Sequence, residues 1–275
     1  MNYRAIVLVA PVQFDKLFMC IIFIINYVLI IKMIKILHLV LYSDDVYYNQ
    51  MFDILNDFYK HYENHNNKFF IKTYYYKFNS IITNDIEVID NIIHIKGEES
   101  FIPGILEKTL IAFKYIQKEF QEDNYNYLIR SNISSIIDFN LLVPELEKNP
   151  IIYGSTNAGY FNYHDISSGI IDDIFFASGT NIIISNDGYK KLIDNLHLIN
   201  KTNLDDVSIA ILFKKLNISC NLLKYNKFVF MNDELNNIQN ILMQKYFVYR
   251  NKNITRDIDV KQIKLITSEL LSKLN

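Results

Sequence analysis

From residue 33 onward, the sequence alternates between short runs rich in β-branched and aromatic residues and longer segments with apolar residues at helical spacing. Residues 34–42 (IKILHLVLY) predict a buried strand, and residues 47–62 place Met51, Leu55 and Phe58 on one helical face. This alternation predicts an α/β domain. The predicted strands are residues 34–42, 69–78, 86–95, 125–129, 151–154, 175–185 and 222–230. The predicted helices are residues 47–62, 103–120, 141–146, 188–196 and 207–216. Residues 238–271 predict a mostly polar, amphipathic tail.

The expected architecture is a mainly parallel mixed sheet with helices on both faces, formed by a single domain over residues 33–275. In such sheets ligands bind at the carboxyl ends of the strands. The residues that follow the predicted strands are therefore the candidates for a site. Neither a GxGxxG nor a GxxxxGKS motif stands at any of these places, so the sequence does not support a dinucleotide-binding or P-loop enzyme.

The charge balance narrows the range of partners. The chain has 28 basic and 30 acidic residues and a formal net charge of −2, which is not the electrostatic footprint of a general nucleic-acid-binding protein. Only two cysteines are present, Cys20 and Cys220, and their separation gives neither a CxxC metal pair nor a disulfide framework. We therefore expect no nucleic-acid partner, and a small neutral or anionic substrate remains open.

The amino-terminal residues 1–32 form a separate hydrophobic segment. Residues 17–31 (LFMCIIFIINYVLII) carry no charge, but as a helix they would be about 22 Å long, shorter than the ~30 Å hydrocarbon core of a bilayer. Three interpretations stay open: a signal anchor with membrane contact, an extension with little role, or an extra packed helix. The location is accordingly membrane-associated in the first case, or cytoplasmic if the chain effectively starts at Met33.

Three blocks of sequence carry a resemblance to a known family: residues 125–142 (YNYLIRSNISSIIDFNLL), 175–193 (FFASGTNIIISNDGYKKLI) and 204–218 (LDDVSIAILFKKLNI). In order and spacing they resemble the second half of a GT-A glycosyltransferase. The nearest pattern is the β-1,3-galactosyltransferase and Fringe type, with its divergent relatives in large DNA viruses and bacteria. The blocks cover about a third of the chain, and the first half matches only in its alternation of strands and helices.

The resemblance implies a GT-A fold and an inverting glycosyltransferase. Its donor would be a nucleotide sugar, expected to be a UDP-sugar, that supplies a hexose or an N-acetylhexosamine. Its acceptor would be a hydroxyl group of a saccharide or glycoprotein. The alternative is a non-catalytic glycan-binding or scaffold protein that has kept the fold.

The sequence departs from the family where a DxD motif would hold a metal ion and the nucleotide diphosphate. Arg130, Ser131 and Asn132 stand there instead, so no carboxylate is available for a hard divalent cation. A guanidinium can neutralise a diphosphate without a metal, which makes Arg130 a candidate donor-binding residue together with Ser131 and Asn132. The alternative for Arg130 is a structural role in holding a loop. No metal ligand is assigned, and dependence on a divalent metal is doubtful.

The third block supplies the candidate catalytic residues. Matching the family motif places Asp206 at the position of the catalytic base and Asp205 at its acidic neighbour. An inverting transfer needs a carboxylate that removes the proton from the acceptor hydroxyl. The alternative is that both residues simply cap the helix predicted to start near Val207.

Four further residues complete the expected donor site. Ser178 and Gly179 match the glycine-containing turn that the family places beside the donor, although an ordinary turn before a strand explains them equally well. Asp44 and Asp45 follow the first predicted strand, where α/β folds often contact uridine or ribose. Capping of the following helix is the alternative for this pair.

Overall fold

The computed structural model describes residues 33–66, 68–120, 125–165, 170–223, 227–231 and 237–273. The described strands are β1 (Lys35–Leu41), β2 (Phe70–Asn79), β3 (Ile86–Ile89), β4 (Ile92–Lys96), β5 (Tyr127–Asn132), β6 (Ser135–Ile137), β7 (Tyr153–Ser155), β8 (Ala158–Asp165), β9 (Ile170–Ala177), β10 (Asn181–Ser185), β11 (Asn221–Leu222), β12 (Lys227–Phe230) and β13 (Val248–Asn251). The described α-helices are α1 (Val46–His65), α2 (Gly104–Glu119), α3 (Phe139–Lys148), α4 (Asn186–Asp194), α5 (Asp205–Lys215), α6 (Ile238–Met243) and α7 (Arg256–Ser272).

The centre of the molecule is an eight-stranded sheet with the order β11-β7-β10-β5-β1-β2-β4-β3. Its middle strands β5, β1, β2 and β4 are parallel, whereas β10 runs antiparallel to both β5 and β7 and β3 runs antiparallel to β4. The predicted fold class, a mainly parallel mixed α/β sheet with helices on both faces, is confirmed. This is the architecture expected of a GT-A-like, Rossmann-like domain.

Alternation along β1 shows why both faces of the sheet need a cover. Ile36 and Val40 are buried in one hydrophobic cluster, with residues of α1, α3 and α7, while Leu37 and Leu39 are buried in a second cluster with residues of α2 and α5. Neighbouring side chains of a strand point to opposite faces of the sheet. A strand that is apolar on both faces is therefore shielded from water only when helices cover both sides of the sheet.

The helix α1 follows its predicted periodicity. Met51, Leu55, Phe58 and Tyr62 are all buried against the sheet. Asp45 caps the helix, because its Oδ1 accepts hydrogen bonds from the backbone N–H groups of the following residues.

Four predicted segments differ from the structure. Residues 86–95 were predicted as one strand but form the antiparallel pair β3 and β4, separated by a tight turn at residues 90 and 91. Residues 175–185 were predicted as one strand but belong to two, β9 and β10, separated by a turn, and β9 pairs with β8 in a two-stranded hairpin. Residues 222–230 are likewise divided between β11 in the large sheet and β12 in a three-stranded sheet with β13 and β6. The expected polar tail contains the strand β13 and the helix α7, because α7 packs its buried residues against α1.

Residues 1–32, and with them the candidate anchor at residues 17–31, lie outside the described residues. Within the described ranges, no helix combines the length and apolar character needed to cross a bilayer.

A fragment comprising residues 33–275 is expected to fold and to remain soluble. Among the described residues, strands and helices from Ile34 onward supply two large hydrophobic clusters that cover both faces of the sheet. Circular dichroism and thermal unfolding of the fragment and the full chain would test this expectation. An insoluble or unfolded fragment beside a folded full-length chain would show that residues 1–32 are needed for the domain to fold.

Candidate active site

Residues from all three sequence blocks meet at the carboxyl edge of the parallel strands. Arg130 lies near the end of β5, Gly179 lies in the turn between β9 and β10, and Asp205 and Asp206 form the start of α5. The strand β10 pairs with β5 so that Ile182 lies opposite Arg130, which brings the turn before β10 beside this arginine. The parallel sheet thus gathers residues that are far apart in the chain.

Arg130 is almost completely buried and holds this group of residues together. Its Nη2 lies 2.6 Å from Asp205 Oδ2, and its Nη1 donates to the carbonyl oxygen of Gly179 at 2.6 Å and to Asn132 Oδ1 at 2.8 Å. Its Nε donates to the hydroxyl of Tyr76 at 3.2 Å. The guanidinium therefore bridges β5, β2, the turn before β10 and the first turn of α5.

Asp205 is the buried counter-charge of this arginine. The side chain of Asp205 is 5% exposed, and its Oδ2 also accepts a hydrogen bond from Thr109 Oγ1 at 3.1 Å. Burial by itself lowers the pKa of Arg130, but the charge of Asp205 and the contact with Tyr76 raise that pKa above its usual value. The guanidinium of Arg130 therefore keeps its positive charge in the folded protein.

Asp206 has a different environment from its neighbour. It is half-buried, its Oδ2 accepts a hydrogen bond from the backbone N–H of Gly179 at 3.0 Å, and its Oδ1 accepts one from Val207 at 2.9 Å. Burial raises the pKa of Asp206, repulsion by Asp205 adds to the increase, and the hydrogen bond from Gly179 and the charge of Arg130 oppose it. A fixed, partly accessible carboxylate with a raised pKa is suited to accept a proton.

The turn at Gly179 has no room for a side chain. A Cβ atom at this position would lie 2.9 Å from Arg130 Nη1 and 3.4 Å from Asp206 Oδ2. Ser178 closes the turn, because its carbonyl oxygen accepts from the backbone N–H of Asn181 at 3.1 Å. Glycine at residue 179 therefore lets the backbone of one residue contact both side chains, its carbonyl oxygen the arginine and its N–H the half-buried aspartate.

The structure does not bring all predicted site residues to this group. Ser131 points to the opposite face of the sheet, where its Oγ lies 2.8 Å from His38 Nε2 in the buried core. The carboxylate of Asp45 is used in capping α1. Asp44 is exposed and forms an ion pair with Lys77, with 3.2 Å between the Nζ and Oδ2 atoms.

The oxygen atoms near Arg130 fit a divalent metal ion poorly. Asn132 offers one amide oxygen that already accepts from Arg130, and Asp205 is paired with the same guanidinium. Hard cations favour several carboxylate or carbonyl oxygens that converge on one point. In the part of the chain that the structure describes, no group of three or more His, Cys, Asp or Glu side chains could hold a metal ion.

A second buried charge at this edge was not predicted from the sequence. Lys108 on α2 is fully buried, its Nζ lies 2.5 Å from Glu99 Oε2, and it donates to the carbonyl oxygen of Tyr42 at 3.0 Å. Burial lowers the pKa of Lys108, while Glu99 opposes the change. The sequence signal for this buried charge is a lysine placed between Leu106 and Leu110, on a largely apolar face of the helix.

A groove of about 710 Å³ lies at the other end of the strands. Its lining includes Ile34 and Tyr127, at the amino-terminal ends of β1 and β5. The neighbouring segments contribute Leu146, Pro150 and Ser185. The buried charges described above all lie at the carboxyl end. The groove is thus separate from the group around Arg130.

Fold and site together define an α/β domain whose acidic and basic groups converge at the carboxyl edge of a parallel sheet. No family model matches the sequence, and no curated protein matches it. Among solved structures, the chain is similar to a glycosyltransferase involved in the glycosylation of the major capsid of PBCV-1. The TM-score is 0.47 at 7% sequence identity, over 84% of this chain and 98% of that chain.

Proposed function

We propose that this protein is an inverting glycosyltransferase. It would transfer a hexose or an N-acetylhexosamine from a nucleotide sugar, most simply a UDP-sugar, to a hydroxyl group of a saccharide or glycoprotein. One observation carries the proposal. The three blocks that resemble this type of enzyme supply Arg130, Gly179 and the Asp205–Asp206 pair, and these residues are in direct contact at the edge where α/β sheets bind ligands.

In the proposed reaction Asp206 is the general base. The acceptor oxygen attacks the anomeric carbon of the sugar, and its proton passes to a carboxylate oxygen of Asp206. The bond between the anomeric carbon and the diphosphate oxygen breaks, and the electron pair leaves with the nucleoside diphosphate. The peptide N–H of Gly179 holds Asp206 in place, which keeps the proton acceptor in one orientation.

Arg130 is proposed as the residue that positions this base. Its contacts with Asp205 and Gly179 leave the guanidinium almost fully enclosed, which supports the structural alternative for this arginine over direct binding of the diphosphate. Asn132 and Ser178 are half-buried at the same edge and remain the proposed polar contacts of the donor.

A thermal-shift screen with UDP-, GDP- and CMP-sugars, followed by assays of donor hydrolysis, tests the proposal. We expect stabilisation by one nucleotide class and slow release of free sugar from that donor. Stabilisation by glycans without any donor hydrolysis or transfer would favour the non-catalytic glycan-binding alternative. The absence of any response to nucleotide sugars would contradict the proposed function.

Binding of the nucleotide sugar is expected to survive treatment with EDTA. The position of the family's metal-binding motif offers a single amide oxygen that is already used by Arg130, so this position lacks the oxygen ligands that Mg²⁺ or Mn²⁺ needs. Calorimetric titration of the donor with and without EDTA, and with added Mn²⁺, measures the dependence. Strict dependence on Mn²⁺ would contradict this expectation and would direct attention to Asp44 or Asp45.

A further inference from the structure

A second arginine lies at the carboxyl edge of the sheet, outside the group around Arg130. Arg250 is on β13, which pairs with β6 so that Arg250 lies opposite Ser135. Its Nη1 donates to the hydroxyls of Ser134 and Ser135, at 3.2 Å for Ser135. These two hydroxyls fix one edge of the guanidinium, and the residue as a whole is half-buried.

The surroundings of Arg250 leave its charge without a counter-ion. Among the described residues, no carboxylate forms an ion pair with it, and Asp259 is already paired with Arg256 at 2.5 Å. Burial lowers the pKa of Arg250 to about 10, and the nearby charges of Arg256 and Arg130 contribute to the decrease while Asp259 opposes it. Burial lowers the pKa of Lys227, and the positive charges of Arg250 and Lys252 contribute to the decrease, so Lys227 belongs to the same basic region.

The two arginines of this edge therefore differ in what they can bind. Arg130 is neutralised by Asp205 and uses its Nε, Nη1 and Nη2 atoms within the protein. In Arg250 only Nη1 contacts an acceptor in the part of the chain that the structure describes, so Nε and Nη2 can donate to a ligand. A partly desolvated guanidinium with free donors is suited to a bidentate contact with phosphate oxygens.

The location of Arg250 agrees with a ligand at the end of β5. Ser134 follows β5 by two residues, after Asn132 and Ile133, and the positive charge of Arg130 is close enough to affect Arg250. The guanidinium of Arg256, 5.7 Å from the ring centre of Tyr48 in the first turn of α1, continues the basic region toward the end of β1.

We propose that Arg250, oriented by Ser134 and Ser135, binds the diphosphate group of the donor. The identity of the donor rests on the proposed function, but the anion site itself rests on the contacts and charges of Arg250. Neutralisation by this guanidinium would stabilise the diphosphate as it leaves, at an edge where Arg130, Ser131 and Asn132 stand in place of the metal-binding DxD motif.

Calorimetric titrations with inorganic pyrophosphate, UDP and uridine, all in EDTA, test the assignment. Arg250→Gln should weaken binding of pyrophosphate and UDP by about 10- to 100-fold, the usual effect of losing a hydrogen bond between charged groups, and should leave binding of uridine unchanged. Arg250→Lys keeps a positive charge and should lose less affinity for pyrophosphate and UDP than Arg250→Gln does. Lys261→Gln is the matched control, because it removes one positive charge from an exposed position on α7.

Circular dichroism and thermal unfolding of both Arg250 variants would show that they are folded. Equal affinity of the wild type and Arg250→Gln for pyrophosphate would overturn the assignment, as would a wild type that binds neither pyrophosphate nor UDP. In another outcome, the wild type binds pyrophosphate through Arg250 but neither hydrolyses a donor nor transfers any sugar. That result would support the anion site and contradict the proposed glycosyltransferase activity. The two failures are therefore distinguishable.

Discussion

Asp206→Asn is expected to lower the rate of sugar transfer by about 10²- to 10⁴-fold, while binding of the donor and thermal stability change little. The amide keeps the size of the carboxylate, and its oxygen can still accept from the backbone N–H of Gly179. It cannot take a proton from the acceptor hydroxyl. The loss should therefore appear in kcat for transfer and only weakly in the affinity for the donor.

The pH dependence of transfer provides a second readout of the same variant. Because burial and Asp205 raise the pKa of Asp206, protonation on acidification should inactivate the wild type at a higher pH than an ordinary aspartate would. Asp206→Asn should lose this acidic limb along with most of its rate. The accessible Asp257 in the first turn of α7 provides the matched Asp→Asn control, which should be fully active.

Near-normal transfer by Asp206→Asn would contradict the assignment of the base. Asn caps a helix about as well as Asp, so a capping residue would tolerate the change without loss of turnover. In that outcome either Asp205 is the base or this motif has no catalytic role.

Asp205→Ala is expected to lower the free energy of unfolding by about 3–5 kcal/mol, which corresponds to a decrease in Tm of roughly 6–20 °C. The substitution removes the counter-charge of Arg130, whose side chain is 1% exposed, and leaves Thr109 without one hydrogen-bond acceptor. The guanidinium keeps its hydrogen bonds to Tyr76, Asn132 and Gly179, but a buried charge without a counter-charge retains most of its desolvation cost. Urea unfolding at neutral pH would measure the difference.

Two control variants show whether the loss of stability comes from the unpaired charge of Arg130 rather than from the loss of any carboxylate. Asp257→Ala breaks the exposed ion pair with Lys261 and should change the stability by at most about 1 kcal/mol. A double variant with Arg130→Met and Asp205→Ala removes both charges and should recover part of the lost stability. An Asp205→Ala protein as stable as the wild type would show that Arg130 is not held by this pair.

Local sequence patterns were sufficient to predict most elements of the large sheet. The apolar run of residues 34–42 forms β1, and the spacing of Met51, Leu55 and Phe58 gives the buried face of α1. The hairpin of β8 and β9 and the short strand β13 were not predicted. Their pairing partners are supplied by other parts of the chain, and single strands of this length carry little periodicity of their own.

The candidate site could be located from sequence but not assembled from it. The three blocks that contain Arg130, Gly179 and Asp206 identified the residues that lie together in the folded chain. Their interactions could not be predicted, since the partners of Arg130 are 49 and 75 residues away along the chain at Gly179 and Asp205. The orientation of Ser131 toward His38 also depends on the register of β5 within the sheet.

The sequence by itself determined the α/β alternation and the residue types that follow the parallel strands. These properties follow from hydrophobic periodicity and from the order of elements, which are local in the chain. Only the tertiary structure decided that Arg130 is neutralised by Asp205 and that Arg250 has no ion-pair partner among the described residues. The charge available to a ligand depends on which groups are buried against each other, and that pairing is set by long-range packing.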